Sequence, residues 1–433
     1  MADTIYALSS GRLPAAIAVI RISGPDAKTA LETLAGKVPE PRRAAYAKFI
    51  DPDSRETLDD GLALWIPGPK SETGEDMAEL HIHGGRAIVA SIFRVLGALN
   101  GFRPAEAGEF TRRALLNGKV DLTVVEGLGD LIAAETEAQR RQAVVQFRGG
   151  LSKKVEAWRE KLMQALAEIE AAIDFSDEGD VPGNLIHAAR NTAAELLAEI
   201  RLVLKDAPRG ERLREGFTVA ITGAPNVGKS TLMNRLAERE VAIVSDIPGT
   251  TRDVIEVALD LNGVPVVLID TAGIRETTDP IEAEGVKRAR ARAEAADLVL
   301  WLVDDEKAPV PRDPKREWVV RTKADLMKGK PKPGQLAVSG KTGAGIDALV
   351  VKLSEEAAKL AGEPALVTHA RQRKALEAAA AHLTALSKPE VSMREELFAE
   401  ELRGAANAFA RVTGKIGVED VLGEIFKNFC VGK

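Results

Sequence analysis

Apolar and polar positions change rhythm along the chain, and each rhythm predicts a different kind of structure. In residues 1–118 they fall in short runs. Ile17-Ala18-Val19-Ile20-Arg21-Ile22 predicts a strand closed by Ser23-Gly24-Pro25. Leu62-Ala63-Leu64-Trp65-Ile66 predicts a second, ended by Pro67-Gly68, and Ala78-Glu79-Leu80-His81-Ile82-His83 alternates as a third, ended by Gly84-Gly85. The stretches between read as helices, so this region is an α+β domain. From about residue 119 long helices take over. Leu151, Val155, Trp158, Leu162, Leu166, Ile169 and Ile173 recur at steps of three and four, one apolar stripe on an amphipathic helix. An acidic loop with glycine and proline follows from Asp174 to Asn184, then a helix to about Leu204 and a linker containing Pro208-Arg209-Gly210. Residues 217–360 alternate strand and helix, the pattern of a parallel α/β sheet, with strands expected at Phe217–Thr222, Val264–Ile269, Asp297–Val303, Glu317–Arg321 and Gln335–Ser339. After Gly362-Glu363-Pro364 the chain reads as helical to its end. The simplest organisation is an N-terminal domain (1–118) and one discontinuous helical domain (119–214 and 364–433), with an α/β domain (215–363) inserted into it.

Composition narrows the class. The chain has 433 residues, room for about three domains, and its 45% hydrophobic and 29% charged residues are a normal globular balance. A net charge of −6 argues against nonspecific nucleic-acid binding over the whole surface and leaves room for a local basic patch. Cys430 is the single cysteine, so no intrachain disulfide forms, and with five histidines a structural zinc site is not expected. Neither a signal-peptide pattern nor a run of about 18 apolar residues occurs. A soluble protein of the reducing cytoplasm, without a membrane span, is the expectation.

The α/β region carries the chemistry. Gly223-Ala224-Pro225-Asn226-Val227-Gly228-Lys229-Ser230 matches GxxxxGKS, followed by Thr231, after an apolar strand and before a helix. Such a loop cradles phosphates with backbone N–H groups; Lys229 adds charge at the terminal phosphates and Ser230 a magnesium ligand. Gly249-Thr250-Thr251-Arg252-Asp253 places a threonine to ligate magnesium and sense the terminal phosphate in a switch loop. Asp270-Thr271-Ala272-Gly273 ends a strongly apolar strand, with Asp270 as the Walker B carboxylate and the Gly273 N–H facing the phosphate. Thr322-Lys323-Ala324-Asp325 and Ser339-Gly340-Lys341 read the base, since Asp325 can accept both N–H groups of a guanine edge. Thr322 replaces the usual Asn and Gly340 the common Ala, and ATP is the runner-up nucleotide. The position that holds a water-orienting glutamine in Ras-like proteins is Ile274, which cannot hold water. Glu276, Asp279, Glu282 and Glu284 lie nearby, and spacing does not choose among them. Asn226 either binds a monovalent cation beside the phosphates, doing the work of an arginine finger, or is a turn asparagine.

Together with Arg21-Ile22-Ser23-Gly24, Gly74-Glu75-Asp76, Glu79-Leu80-His81-Ile82-His83-Gly84-Gly85, Gly108-Glu109-Phe110-Thr111-Arg112-Arg113-Ala114, Leu116-Asn117-Gly118-Lys119-Val120-Asp121-Leu122 and the ending Phe429-Cys430-Val431-Gly432-Lys433, these motifs resemble the MnmE (TrmE) family of tRNA-modifying GTPases over nearly the whole chain. The resemblance implies a folate-binding N-terminal domain that also dimerises, a helical domain and an inserted P-loop GTPase domain. It implies a homodimer that works with a FAD-dependent partner, MnmG. The pair adds a carboxymethylaminomethyl or aminomethyl group to C5 of the wobble uridine of certain tRNAs, with 5-formyl- or 5,10-methylene-tetrahydrofolate as the one-carbon source. Potassium-dependent pairing of G domains activates hydrolysis. Carried over by position, the potassium ligands are Asn226, Ser245, Ile247 and Thr250; magnesium is held by Ser230 and Thr251. Glu282 orients water, Arg21, Glu79, Lys119 and Lys433 contact folate, and Cys430 takes part in the modification step. The alternatives are a ribosome-assembly GTPase, against which the absence of a KH-type GXXG clamp argues, and a regulatory switch without modification chemistry. His81 and His83 share a strand face without a nearby third ligand, and Lys287, Arg288, Arg290 and Arg292 read as a solvated helix face in preference to a tRNA contact.

Overall fold

Alternation along the first strands determines how the N-terminal sheet is covered. In the computed structural model, Ala18, Ile20 and Ile22 are buried while Val19 and Arg21 between them face the other side. The structure describes residues 3–174, 185–239, 241–243, 256–270, 294–304, 313–327, 336–388, 391, 394–417, 422–423, 425–426, 429 and 431–432. It divides into two units, one of Met1–Gly129 with Phe409–Lys433 and one of Asp130–Ala408.

The first unit holds β1 (Thr4–Leu8), β2 (Ala15–Ser23), α1 (Ala27–Ala35), β3 (Ala45–Ile50), β4 (Thr57–Ile66), β5 (Met77–Gly84), α2 (Arg86–Ala98), β6 (Phe102–Pro104) and α3 (Glu109–Leu116). The sheet order is β3-β4-β5-β2-β1-β6, antiparallel except for the β1–β6 pair. Leu31 and Leu34 of α1 and Ile92 and Leu96 of α2 share a core with Ile20, Ile22, Leu80 and Phe49. A smaller cluster of Ile5, Ala7, Met77, Ala105 and Phe110 includes α3. The three expected strands are present, and β1, β3 and β6 are additions. The C-terminal tail lies on this unit: Ser9 Oγ donates to the Gly432 carbonyl at 2.9 Å, and Val431 bridges Ala107.

α4 (Leu122–Ala133) follows. Beyond it come α5 (Glu137–Phe147), α6 (Gly150–Asp174) and α7 (Leu185–Glu215), then β7 (Phe217–Gly223), α8 (Lys229–Ala237), β8 (Glu256–Leu261), β9 (Val264–Asp270), β10 (Leu298–Val303), β11 (Glu317–Arg321), β12 (Leu336–Ala337), α9 (Ile346–Ala357), α10 (Ala370–Ala385) and α11 (Glu395–Thr413). The stripe is buried along α6 from Leu151 to Ile169, with Ile173 half-buried, and Trp158 Nε1 also donates to Glu199 Oε2 of α7 at 2.9 Å. The second sheet runs β12-β11-β10-β7-β9-β8, all parallel except the edge strand β8.

Three expectations are corrected here. Pro208-Arg209-Gly210 is not a linker but the interior of α7. Proline in a helix forfeits a backbone bond, and tertiary contacts offset that loss. Arg209 donates to the carbonyls of Leu360 and Glu363, and the Gly210 carbonyl accepts from the buried Gln142 Nε2 at 3.0 Å. A Cβ on Gly210 would lie 2.2 Å from the Val367 carbonyl oxygen, so only glycine lets these backbones touch. The sheet is also not wholly parallel. Asn262-Gly263, both at positive φ (57° and 83°), form a two-residue turn that returns β8 antiparallel to β9. The last strand is shorter than expected, with Val338 and Ser339 beyond it. The expected loop after Asp174 lies outside the described residues.

Candidate functional site

β7 is central in its sheet, paired with β9 on one side and β10 on the other. The chain visits β8 and β9 first and then crosses to β10, so the carboxyl end of β7 is the topological switch point, where open α/β sheets bind ligands. The turn that leaves it has positive φ at Gly223 (150°), Asn226 (64°) and Gly228 (106°). A Cβ on Gly223 would lie 2.5 Å from the Leu302 carbonyl oxygen. Gly228 precedes α8, whose first-turn N–H groups make an anion-binding end. Lys229 is buried, and its Nζ donates to the Gly223 and Ala224 carbonyls at 2.8 and 2.9 Å, which holds the ammonium inside the loop. Val227 is buried in the core beneath. Ser230 and Asn226 are exposed, and Asp270, 2% exposed, ends β9 opposite Ile221. A serine hydroxyl and a carboxylate are hard oxygen donors of the type magnesium takes.

The base-reading residues follow β11 and β12. Thr322 is buried, and its hydroxyl reaches the Val227 carbonyl of the phosphate loop at 2.6 Å. The threonine in place of asparagine thus still ties this segment to the phosphate loop. Lys323 has a left-handed backbone (φ 53°), and its Nζ pairs with Asp304 at 2.7 Å, which lowers the Asp304 carboxyl. Asp325 is exposed. A hydrogen bond from the Ser339 side chain lowers its carboxyl below the usual range, against slight desolvation and with help from Lys341. Ser339 is itself buried and fixed by its turn, accepting from the amides of Thr342 and Gly343. Gly340 has a packing reason: a Cβ there would lie 2.9 Å from Thr231 Cγ2 and 3.1 Å from the Thr231 backbone.

In the first unit the structure brings Arg21 and Glu79 together across β2 and β5, with Arg21 Nε to Glu79 Oε1 at 3.2 Å. Glu72 closes on Arg21 at 2.9 Å, Phe110 lies 6.0 Å beneath the guanidinium, and His81 pairs with Glu79 at 3.1 Å. Lys119 donates to the Pro69 carbonyl at 2.8 Å and flanks Gly74. Glu72 and Phe110 are members of this cluster that the sequence reading does not contain, and no spacing in the sequence joins them to Arg21. A second charged group lies at α3. Burial works to raise the Glu109 carboxyl, but Arg103, the Glu106 amide and Arg113 together lower it to about 2. Arg113 also pairs with Glu75 at 2.9 Å.

Ser245, Ile247, Thr250, Thr251, Thr271, Ala272, Gly273, Ile274, Glu282, Cys430 and Lys433 lie outside the described residues, as do Lys287, Arg288, Arg290 and Arg292. Among the described residues no group of three His, Cys, Asp or Glu side chains is placed to hold a metal ion, and no helix is long and apolar enough to cross a membrane.

Comparison with known proteins adds to this geometry. Residues 4–119 match the family model for the GTP-binding protein TrmE N-terminus, and residues 122–430 match that for the MnmE helical domain. A tRNA modification GTPase MnmE from Azorhizobium caulinodans is 56% identical over 432 residues, covering 100% of this chain and 99% of the relative. Its counterpart from Methylorubrum populi is 54% identical, covering 100% of this chain and 98% of the relative. With both halves of the family architecture matched and the phosphate loop intact, the chain belongs to the MnmE family of tRNA modification GTPases.

Proposed function

We propose that this member of the family hydrolyses GTP to drive addition of a carboxymethylaminomethyl or aminomethyl group to C5 of a tRNA wobble uridine, together with an MnmG-type FAD-dependent partner. The carrying observation is the convergence at the carboxyl ends of β7 and β11: Lys229 held in the phosphate loop, and Thr322 joining that loop to the Asp325–Ser339 pair. In this reading Lys229 neutralises the terminal phosphates, Ser230 and Thr251 hold magnesium with Asp270 behind them, and Asp325 accepts the guanine N–H groups. Thr271, Ala272 and Gly273 line the phosphate side, and Lys323, Gly340 and Lys341 frame the base. Magnesium, when bound, offsets charge on the phosphate oxygens. Asn226, Ser245, Ile247 and Thr250 take potassium, which supplies the charge an arginine finger would, and Glu282 orients water.

The N-terminal domain (1–118) forms the homodimer and binds the tetrahydrofolate. Its Arg21–Glu79 pair over Phe110 offers a planar cation and a carboxylate acceptor suited to a heterocycle, with Lys119 and Lys433 as further contacts. The helical domain comprises 119–214 and 364–433, the G domain 215–363. The placement of Gly432 against Ser9 supports a role for Cys430 close to the N-terminal domain. The test is nucleoside analysis of tRNA from cells whose own copy is replaced by wild type, Lys229→Ala or Cys430→Ser. Loss of the modified wobble uridine in both variants, with GTP turnover kept in Cys430→Ser, is expected. Unchanged nucleosides in Lys229→Ala would overturn the coupling of hydrolysis to modification.

A further inference from the structure

The β8–β9 hairpin occupies a particular place in the chain. β8 begins directly after the segment that carries Thr250 and Thr251, and β9 ends at Asp270, directly before Thr271-Ala272-Gly273. Both candidate phosphate-sensing segments are therefore continuous with one antiparallel ribbon. Its six residue pairs run in unbroken register from Glu256–Ile269 to Leu261–Val264. The paired backbones join its open end to its turn, and β9 is also paired with β7 from Val266 to Asp270.

The turn rests on the helical part of the same unit. The Gly263 carbonyl accepts from the Ala138 amide at 3.0 Å. Ala138 is the second residue of α5, so this N–H is one of the first-turn donors that a helix cannot satisfy itself. The same helix grips both ends of the inserted α/β domain. Gln139 Nε2 donates to the Arg214 carbonyl at 3.0 Å, Gln142 Nε2 to Gly210 at 3.0 Å and Gln146 Nε2 to Ala365 at 3.1 Å. Residues 210–214 are the entry into the α/β domain and Ala365 follows its exit. α5 thus touches the domain at entry, at exit and at the tip of the ribbon joining its two phosphate-sensing segments. A tilt of that ribbon against the two fixed ends has to move α5 or break the Gly263–Ala138 bond.

We infer that the β8–β9 hairpin carries nucleotide state to α5 through the Gly263–Ala138 contact. The inference rests on the proposed nucleotide site and adds the route by which that site acts on the helical domain. Hydrogen exchange on the full chain, with GDP and with a non-hydrolysable GTP analogue, tests it. Amides of residues 139–147 should differ between the two nucleotides by about threefold or more in exchange rate in wild type. Ala138→Pro removes the donor at a first-turn position where proline is tolerated, and there the difference should vanish while amides 226–231 stay protected. In a second variant, Glu137→Cys/Gly263→Cys/Cys430→Ser, the new side chains are placed for a disulfide, because a Cβ on Gly263 lies 3.8 Å from that of residue 137. The oxidised form, in which a covalent link backs up the hydrogen bond, should keep the nucleotide difference in α5. Protection at 226–231 with no nucleotide dependence in α5 would overturn the inference alone, as would a difference that survives in Ala138→Pro or is lost in the oxidised disulfide variant. No protection at 226–231 with either nucleotide would overturn the underlying GTP reading, and the inference with it.

Discussion

Gly340→Ala is a one-methyl change whose cost the structure allows to be worked out. The added Cβ would stand 2.9 Å from Thr231 Cγ2 and 3.1 Å from both the carbonyl carbon and oxygen of Thr231. Thr231 is in the first turn of α8, next to Ser230, and its backbone is fixed by the helix. A methyl cannot rotate away, so either the turn carrying Gly340 or the start of α8 moves by a few tenths of an ångström. Inserting a methyl into packed surroundings costs about 1–3 kcal/mol. If the strain falls on the nucleotide-competent geometry, GDP affinity weakens by about 5- to 150-fold. Titration of a fluorescent guanine nucleotide measures this. Thr231→Ser removes the nearest of the three contacts and leaves the two backbone ones, so Gly340→Ala/Thr231→Ser should recover part of the lost affinity. An affinity within about twofold of wild type in Gly340→Ala, or no recovery in the double variant, would refute the packing argument for glycine at this position.

Thr322→Val keeps the shape but strands the Val227 carbonyl in a buried site, at a cost of about 1–3 kcal/mol. Guanine-nucleotide affinity should fall correspondingly, and Thr322→Ser should retain it in the same titration. In the N-terminal unit, Glu109 titrates at about 2 when folded, below its ordinary 4.5. Its stabilisation is therefore complete above about pH 4.5 and lost as pH falls toward 2, up to about 3 kcal/mol in all. Urea unfolding of wild type and Glu109→Gln should converge in stability as the pH is lowered through that window. Gly210→Ala brings a Cβ to 2.2 Å from the Val367 carbonyl oxygen and 2.7 Å from Ala365 Cβ. It should lower the melting temperature although alanine favours helix by about 1 kcal/mol, and a raised one would refute the close contact.

Elements with strong periodicity could be read directly. The α6 stripe and the strands β2, β5, β7, β9 and β11 were visible because each buries one face or a continuous apolar run. The phosphate loop was legible because its chemistry is local. Proline and glycine misled at 208–210: local signals there mark a break, but contacts with Gln142, Leu360 and Glu363, distant in the chain, decide the outcome. β8 is not read as a strand although Asn262-Gly263 is a strong hairpin signal, because Glu256 and Asp260 interrupt its apolar residues at an edge. In the N-terminal cluster, Glu72 and Phe110 reach Arg21 from separate loop and helix segments, and no sequence spacing encodes that meeting.

The central claim is that this chain turns over GTP, with Asp325 selecting guanine beside the phosphate loop and potassium in the role of an arginine finger. Its most direct test is turnover of GTP and ATP by the purified chain in potassium chloride and in sodium chloride at equal ionic strength. The account predicts GTP turnover that is fast only in potassium and rises with protein concentration as G domains pair, with little ATP turnover in either salt. Equal GTP rates in the two salts would contradict the Asn226 cation site, and a preference for ATP would contradict the guanine reading of Asp325.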